Sequence, residues 1–483
     1  MEAGGIMEPW DAFILGGIAV VGVGLVVAIP VWLVRRWRRQ HAVLSAVLTR
    51  FLGRDPNELT IVSRNYSSID LPNVQLAIGA SVRLAGGQAR AIGYDSPHGG
   101  FFNDLRTLIS RGTQPCTAVG PVVYREVDVD VDRQLQCVEN GLHLVELPHG
   151  KLVVHCRRVL LDNNALQLEV LANPAELGVT FSEQIREQLQ QVNVYRGRVL
   201  SLEAGCQNAA GSDGAVIRFH RLPSVRREEI ILPPETIELL ERNTVRFYRH
   251  AETLRRAGRS VRRGLLLHGC PGTGKTHTAR WLAQSLEGVT VIFLTGEQFC
   301  QIKECCRVAR LLAPSLVILE DVDLIATERN DERPPIYQIS LHQLLNEMDG
   351  LVSEAPVIFL LTTNRAEVLE PALAARPGRI DQAIEYPLPD AACRQRLLEL
   401  FGRGLHLALK DPALVVAKTD GASPAFIQEL VRKASLLAAE EDSRHDDLLH
   451  VTDRHFEEAL RELVLGCGQL TRNLLGFHAS TLP

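Results

Sequence analysis

The sequence predicts an α/β protein: a parallel five-stranded sheet with flanking helices and a helical lid, preceded by a mixed α+β domain and one membrane-spanning helix. Three observations lead there. From residue 230 onward short apolar runs alternate with helical periodicity, the pattern of a parallel sheet whose strands are joined by helices. One of those runs empties into a glycine-rich loop at 269–276 that opens a helix. Residues 12–34, finally, carry no charged side chain.

The charge-free stretch is long enough to cross a bilayer as a helix. It is followed at once by Arg35-Arg36-Trp37-Arg38-Arg39, whereas the residues before it carry Glu2, Glu8 and Asp11 and no Lys or Arg. The positive-inside bias therefore places the bulk of the chain in the cytosol, with Trp10, Trp32 and Trp37 at interfacial positions. A signal peptide would want a basic start, and the charges here are reversed. The basic, acid-free segment 35–54 reads as an amphipathic helix lying near the membrane surface, with Val43, Leu44, Val47, Leu48, Phe51 and Leu52 as its apolar side. Over the whole chain of 483 residues, 52 Lys and Arg nearly balance 57 Asp and Glu, so charge gives no reason to expect a nucleic-acid partner. Ten scattered cysteines without a CxxC pair fit a reducing compartment.

Residues 55–225 show mixed patterning, with strand alternation over 126–131 and 142–154, a turn at Pro148-His149-Gly150, a helix near 182–192 and strands over 194–202. His143, His149 and His155 have no acid at suggestive spacing and read as ordinary sheet residues. With no catalytic motif, this region is expected to be an N-terminal substrate or adaptor domain.

The core follows over 226–389, with strands expected at 264–268, 289–294, 316–320, 356–362 and 382–386, then a helical lid over 390–467 and a tail over 468–483. The run Gly269-Cys270-Pro271-Gly272-Thr273-Gly274-Lys275-Thr276, continued by His277, has the spacing and the strand–loop–helix context of a P-loop. Its glycines let backbone N–H groups turn inward around phosphates, and the helix terminus adds its positive end. Lys275 neutralises the outer phosphates of ATP, and the Thr276 hydroxyl takes a place on Mg²⁺. The strand Leu316-Val317-Ile318-Leu319 runs into Glu320-Asp321-Val322-Asp323, which puts carboxylates at the sheet edge where the phosphates lie. Hydrolysis needs one acid for the metal and another to orient water. A further strand ends in Thr362-Thr363-Asn364, whose amide can hold the attacking water.

On these residues the chain from about 230 to 465 resembles the AAA module, in its classical subgroup. The resemblance implies that Glu320 stands where the family has its metal-linked Asp, Asp321 where it has the catalytic Glu, and Asn364 at the first sensor. The run from Glu370 to Asp381 resembles the second region of homology, which makes Arg376 and Arg379 fingers reaching into a neighbouring subunit's site. By themselves two arginines three apart also read as surface ion pairs. Trans-acting fingers imply a closed ring, a hexamer, that remodels or translocates a protein substrate. Gly421-Ala422-Ser423 resembles the opening of the lid's nucleotide-facing helix, with Pro424 in place of the family's glycine. The Glu-Asp order of 320 and 321 is exchanged relative to the usual one. It is similar to the mitochondrial inner-membrane AAA chaperone that inserts the Rieske protein, which makes that membrane an alternative location. The shorter acid also keeps open a slow or non-hydrolysing nucleotide-dependent scaffold. Between 295 and 315 the aromatic–hydrophobic–Gly pore loop of unfoldases is missing, Phe299 being the single aromatic there, and no His-Glu-x-x-His occurs anywhere in the sequence.

Overall fold

The computed structural model describes residues 43–95, 104–110, 117–159, 165–204, 207–208, 211–212, 215–324, 344, 346–348, 355–369, 379–441 and 448–463. The expected membrane helix at 12–34, residues 35–42 of the basic segment, Arg376 and the 468–483 tail lie outside them. Among the described residues no helix is long and apolar enough to cross a membrane. The chain divides into two compact units, Met1–Val194 with Cys206–Gly214, and Tyr195–Gly205 with Ala215–Pro483.

The first unit is built on an antiparallel sheet in the order Ile61–Ser67, Ala165–Asn173, Gly150–Val159, Leu142–Leu147, Gln88–Asp95, Ala118–Gly120. Alternation along each strand sends side chains to two faces, and both are covered. Val154 and Val170 meet Val74, Ile78, Phe181 and Ile185 from the helices Leu71–Leu84 and Ala175–Gln191. On the other face, Val153 and Leu171 share a core with Leu44, Leu48, Phe51 and Leu52 of the helix Leu44–Leu52. This corrects the sequence reading of that helix: its apolar side is buried against the sheet and is not presented to a membrane surface. A protein core and a lipid interface ask for the same amphipathic pattern, so the pattern alone could not choose. The hairpin expected at 148–150 is present, with Leu147 paired to Gly150.

His155 also departs from expectation. It is fully buried, with Nδ1 3.1 Å from Glu169 Oε2 and Nε2 3.0 Å from the Tyr94 hydroxyl, while the Leu105 N–H donates to the same Glu169 oxygen at 2.8 Å. An acid partner does exist: register sets His155 directly opposite Glu169 on the neighbouring strand. The network satisfies polar groups that would otherwise be costly to bury.

In the second unit the five expected strands are present as Arg262–His268, Thr290–Thr295, Ser315–Glu320, Val357–Thr363 and Gln382–Glu385, all parallel where they pair. The sheet has seven strands, however, in the order Ala215–Phe219, Val199–Ala204, Thr290–Thr295, Ser315–Glu320, Val357–Thr363, Arg262–His268, Gln382–Glu385. The strand Val199–Ala204 runs parallel to Thr290–Thr295, with Val199 opposite Val291, and Ala215–Phe219 returns antiparallel to it. The region before 225 thus contributes a hairpin that covers what would be an open sheet edge. The inner strands are apolar on both sides, the mark of a parallel sheet covered by helices on both faces.

The lid packs the helices Ala391–Phe401, Pro412–Lys418, Pro424–Glu441 and Asp453–Arg461 around Phe426, Ile427, Leu430, Val431 and Phe456. It also contains a short parallel pair, Leu405–Ala408 with Leu449–Thr452. Strands of four residues are too short to carry a readable period, which is why only helices are legible there in the sequence.

Candidate nucleotide site

The strand Arg262–His268 lies between two parallel neighbours and delivers its last residue into the loop at the carboxyl edge of the sheet. Gly272 (φ 77°) and Gly274 (φ 96°) hold left-handed backbone that lets the chain curl, and the helix Lys275–Ser285 starts immediately after. A Cβ at Gly272 would lie 2.9 Å from Ser423 Oγ and 2.8 Å from Ala425 Cβ, so the loop needs glycine there to accept the lid. The Ala425 N–H donates to the Gly272 carbonyl at 3.1 Å. Pro424 sits at the first position of the lid helix, where its fixed φ and missing N–H are no handicap, and Ser423 Oγ accepts from the Phe426 N–H.

Lys275 is only 6% exposed. Its ammonium donates to the carbonyls of Gly269 (2.8 Å) and Cys270 (2.9 Å), and Thr273 Oγ1 donates to Cys270 as well. Burial pulls its pKa down to about 8, against the opposing pull of Asp321. Pro271, Gly272, Thr273, Gly274, Lys275, Thr276 and His277 line a cleft of ≈ 470 Å³ that also contains Asp321 and Asn364. That volume suits a nucleotide-sized ligand. His277 is half-buried, and its pKa is lowered by burial against the pull of Glu229. Away from the loop the cleft is walled by Ile230, Ile231, Leu397 and Phe401, an apolar surface for a flat base. Sequence reasoning missed these four, because they come from a linker and a lid helix far apart in the chain.

Glu320 and Asp321 end the strand Ser315–Glu320 beside the loop. Burial raises the pKa of Glu320 and outweighs Thr276, which lies beside it and draws the pKa down; Glu320 Oε1 is buried with no hydrogen-bond partner. A buried carboxylate oxygen left open beside a loop hydroxyl is the donor set a hard divalent cation needs, so Thr276 and Glu320 fit Mg²⁺. Asp321 is the one described non-glycine residue with positive φ, 53°. Its N–H donates to Thr362 Oγ1 at 3.1 Å, and its Oδ1 accepts from Asn364 Nδ2 at 3.1 Å. Burial, and next Asp323, raise its pKa. Asp323 also went unassigned from sequence. It is buried and accepts from Thr363 Oγ1 (2.8 Å) and from the Asn364 N–H (3.3 Å), and so fixes the backbone that presents Asn364. The acidic run 320–323 was the signal that could have found it.

Among the described residues, Arg379 does not line the cleft; Lys275 and Arg280 do. Arg379 Nη2 donates to Asn346 Oδ1 at 3.3 Å, and Arg376 lies outside the described residues.

A parallel sheet with strand order placing the loop strand between two neighbours, an acid-ended strand beside the loop, a Thr-Thr-Asn strand end and a helical lid touching the loop together define an ATPase domain of the AAA type, whose cofactors are ATP and Mg²⁺. Residues 265–388 match the AAA family, the ATPase family associated with various cellular activities, so the chain carries an AAA domain. The ATP-dependent zinc metalloprotease FtsH of Thermus thermophilus is 32% identical over 261 residues, covering 50% of this chain and 40% of the relative. FtsH 3 of Sphaerobacter thermophilus is 33% identical over 249 residues (49% and 50%), and FtsH of Acidothermus cellulolyticus is 37% identical over 240 (46% and 34%). The chain spans at most about half the length of these relatives.

Proposed function

We propose that the chain is an ATP hydrolase, anchored in a membrane by residues 12–34 with its ATPase domain in the cytosol, that assembles as a ring, most simply a hexamer, and uses turnover to remodel or translocate a protein substrate. The observation that carries the reading is the Asn364–Asp321 hydrogen bond at the wall of a cleft that already holds Lys275. Mg²⁺, when bound, would neutralise phosphate charge, with Thr276 and Glu320 holding it. Lys275 binds the outer phosphates. Asp321 and Asn364 orient the water, and Asp321 takes its proton as the water oxygen bonds to the terminal phosphorus and the bond to the ADP oxygen breaks. A carboxylate whose pKa is raised by burial is a better proton acceptor than one in water.

Among the described residues Lys275 and Arg280 are the lysine and arginine that line the cleft, and a further arginine would stabilise the charge that develops on the transferred phosphoryl group. Arg379, held elsewhere in its own subunit, is suited to serve the site of a neighbour, and Arg376 is assigned the same role; this supports a ring. Recognition of the substrate is assigned to residues 55–225. The relatives' names include a zinc protease activity, but no His-Glu-x-x-His occurs in these 483 residues, and proteolysis is not part of the proposal. Phe299 is 4% exposed, so it is not available to grip a threaded chain, which favours remodelling over threading. A second reading, a slow nucleotide-dependent scaffold, draws support from the shorter acid at 321 on its left-handed backbone.

The test is phosphate release by the full-length protein in detergent, with Lys275→Ala and Asp321→Asn alongside and each sized in ATP. We expect an ATP-dependent ring, turnover lost in both variants, and ATP binding kept in Asp321→Asn with a rate loss of about 10²-fold or more. Binding without turnover above Lys275→Ala points to the scaffold, and a monomer in every nucleotide state rules out the ring.

A further inference from the structure

We infer that Asp381 is a positioning residue for Arg379: it staples the arginine-bearing segment onto the strand that carries the subunit's own phosphate loop. The inference rests on the ring reading above. Although Asp381 is itself exposed, its Oδ2 accepts the Gly264 N–H at 2.7 Å, and its own N–H donates to the Gly264 carbonyl at 2.8 Å. The two residues therefore clasp each other by a side chain and by the backbone. Gly264 is buried, and its missing side chain is what admits the segment: a Cβ there would lie 2.0 Å from the Arg379 carbonyl oxygen. The side chain of Arg379 is steered from a second direction, since Nη2 reaches Asn346 Oδ1 at 3.3 Å, and the same stretch is tied back to the loop strand by Arg262 Nη1 to the Met348 carbonyl at 2.7 Å.

All of these attachments converge on the strand Arg262–His268. It is hydrogen-bonded on both sides, and it leads straight into Gly269, five residues beyond Gly264. The start of a subunit's phosphate loop and the arginine it offers to a neighbour are thus fixed to one stiff element. Loss of the staple leaves the subunit's own loop in place but frees the arginine, and a guanidinium displaced by about 1 Å loses much of its effect on a transition state. The defect belongs to the neighbour's site.

The experiment uses full-length rings of Asp381→Ala, Asp381→Asn and Arg379→Ala, and rings co-assembled in equal amounts with Lys275→Ala subunits. For Asp381→Ala we expect ATP affinity within about twofold of wild type and kcat lowered tenfold or more. Asp381→Asn, whose amide oxygen still accepts from Gly264, should recover most of the rate. Mixing Asp381→Ala with Lys275→Ala should raise activity above that of either impaired protein, to about a quarter of the wild-type rate per subunit, because a subunit with an intact loop gains a neighbour with a held arginine in half of the random placements. Asp381→Ala with unchanged kcat, or with lost ATP affinity and no recovery on mixing, overturns the inference. If Arg379→Ala also fails to complement Lys275→Ala, it is the ring reading itself that falls.

Discussion

At the scale of single residues, the chemistry is concentrated in side chains whose surroundings change their acidity. Lys275 shows the consequence most directly. Burial favours its neutral form in the ligand-free cleft and brings its pKa to about 8, whereas the phosphates of ATP favour the ammonium. Below about pH 8 the ammonium is already charged and affinity is at its full value. Above it, binding must first return a proton, and affinity falls by up to about tenfold per pH unit until the ordinary lysine range is reached. Titration calorimetry in buffers of different ionisation enthalpy should show proton uptake on ATP binding at pH 8.5 and none at pH 6.5. Uptake that is equal at both would assign the proton to another group. The loop residues, Glu320, Asp321 and Asn364 are all legible as contiguous motifs. Asp323 is legible only as a member of the acidic run, and neither its role beneath Asn364 nor that of Glu169 beside His155 is, because their partners lie 41 and 14 residues away and meet only through strand register.

At the scale of elements, the same apolar pattern can serve different neighbours. The helix Leu44–Leu52 is correctly marked as amphipathic by its sequence, and the structure gives its apolar side to the sheet of the first unit. The helix Val245–Arg256 offers a sharper case. Tyr248 donates its hydroxyl proton to the Ser315 carbonyl and accepts from the Ile358 N–H at 3.2 Å, so one side chain clips the beginnings of two adjacent strands, Ser315–Glu320 and Val357–Thr363. Both strands end in the acids and the amide of the site. Tyr248→Phe leaves two backbone groups without that partner and is expected to cost about 1–3 kcal/mol in denaturant unfolding, with the ATP affinity of the folded protein unchanged. A loss of affinity at full stability would show instead that the clip sets the site's geometry.

At the scale of the whole molecule, the boundary between the units carries the main correction. The sequence places 55–225 together, yet Val199–Ala204 and Ala215–Phe219 complete the ATPase sheet. A fragment beginning at residue 226 exposes the edge of Thr290–Thr295, whereas one beginning at 195 keeps it covered. The longer fragment should be soluble and unfold cooperatively, and the shorter one should aggregate or melt several degrees lower. Equal behaviour of the two by thermal unfolding and light scattering would mean that the hairpin is dispensable. The sequence by itself determined whatever is written in neighbouring residues: the five parallel strands, the phosphate loop, the acid-ended strand and the order of core and lid. Tertiary structure alone decided which acid lies under Asn364, which glutamate satisfies His155, why residue 264 is glycine, and which strands close the sheet. Local motifs fix backbone shape within a few residues, but hydrogen-bond partners and close approaches between distant segments are set by register and packing, and no local pattern encodes them.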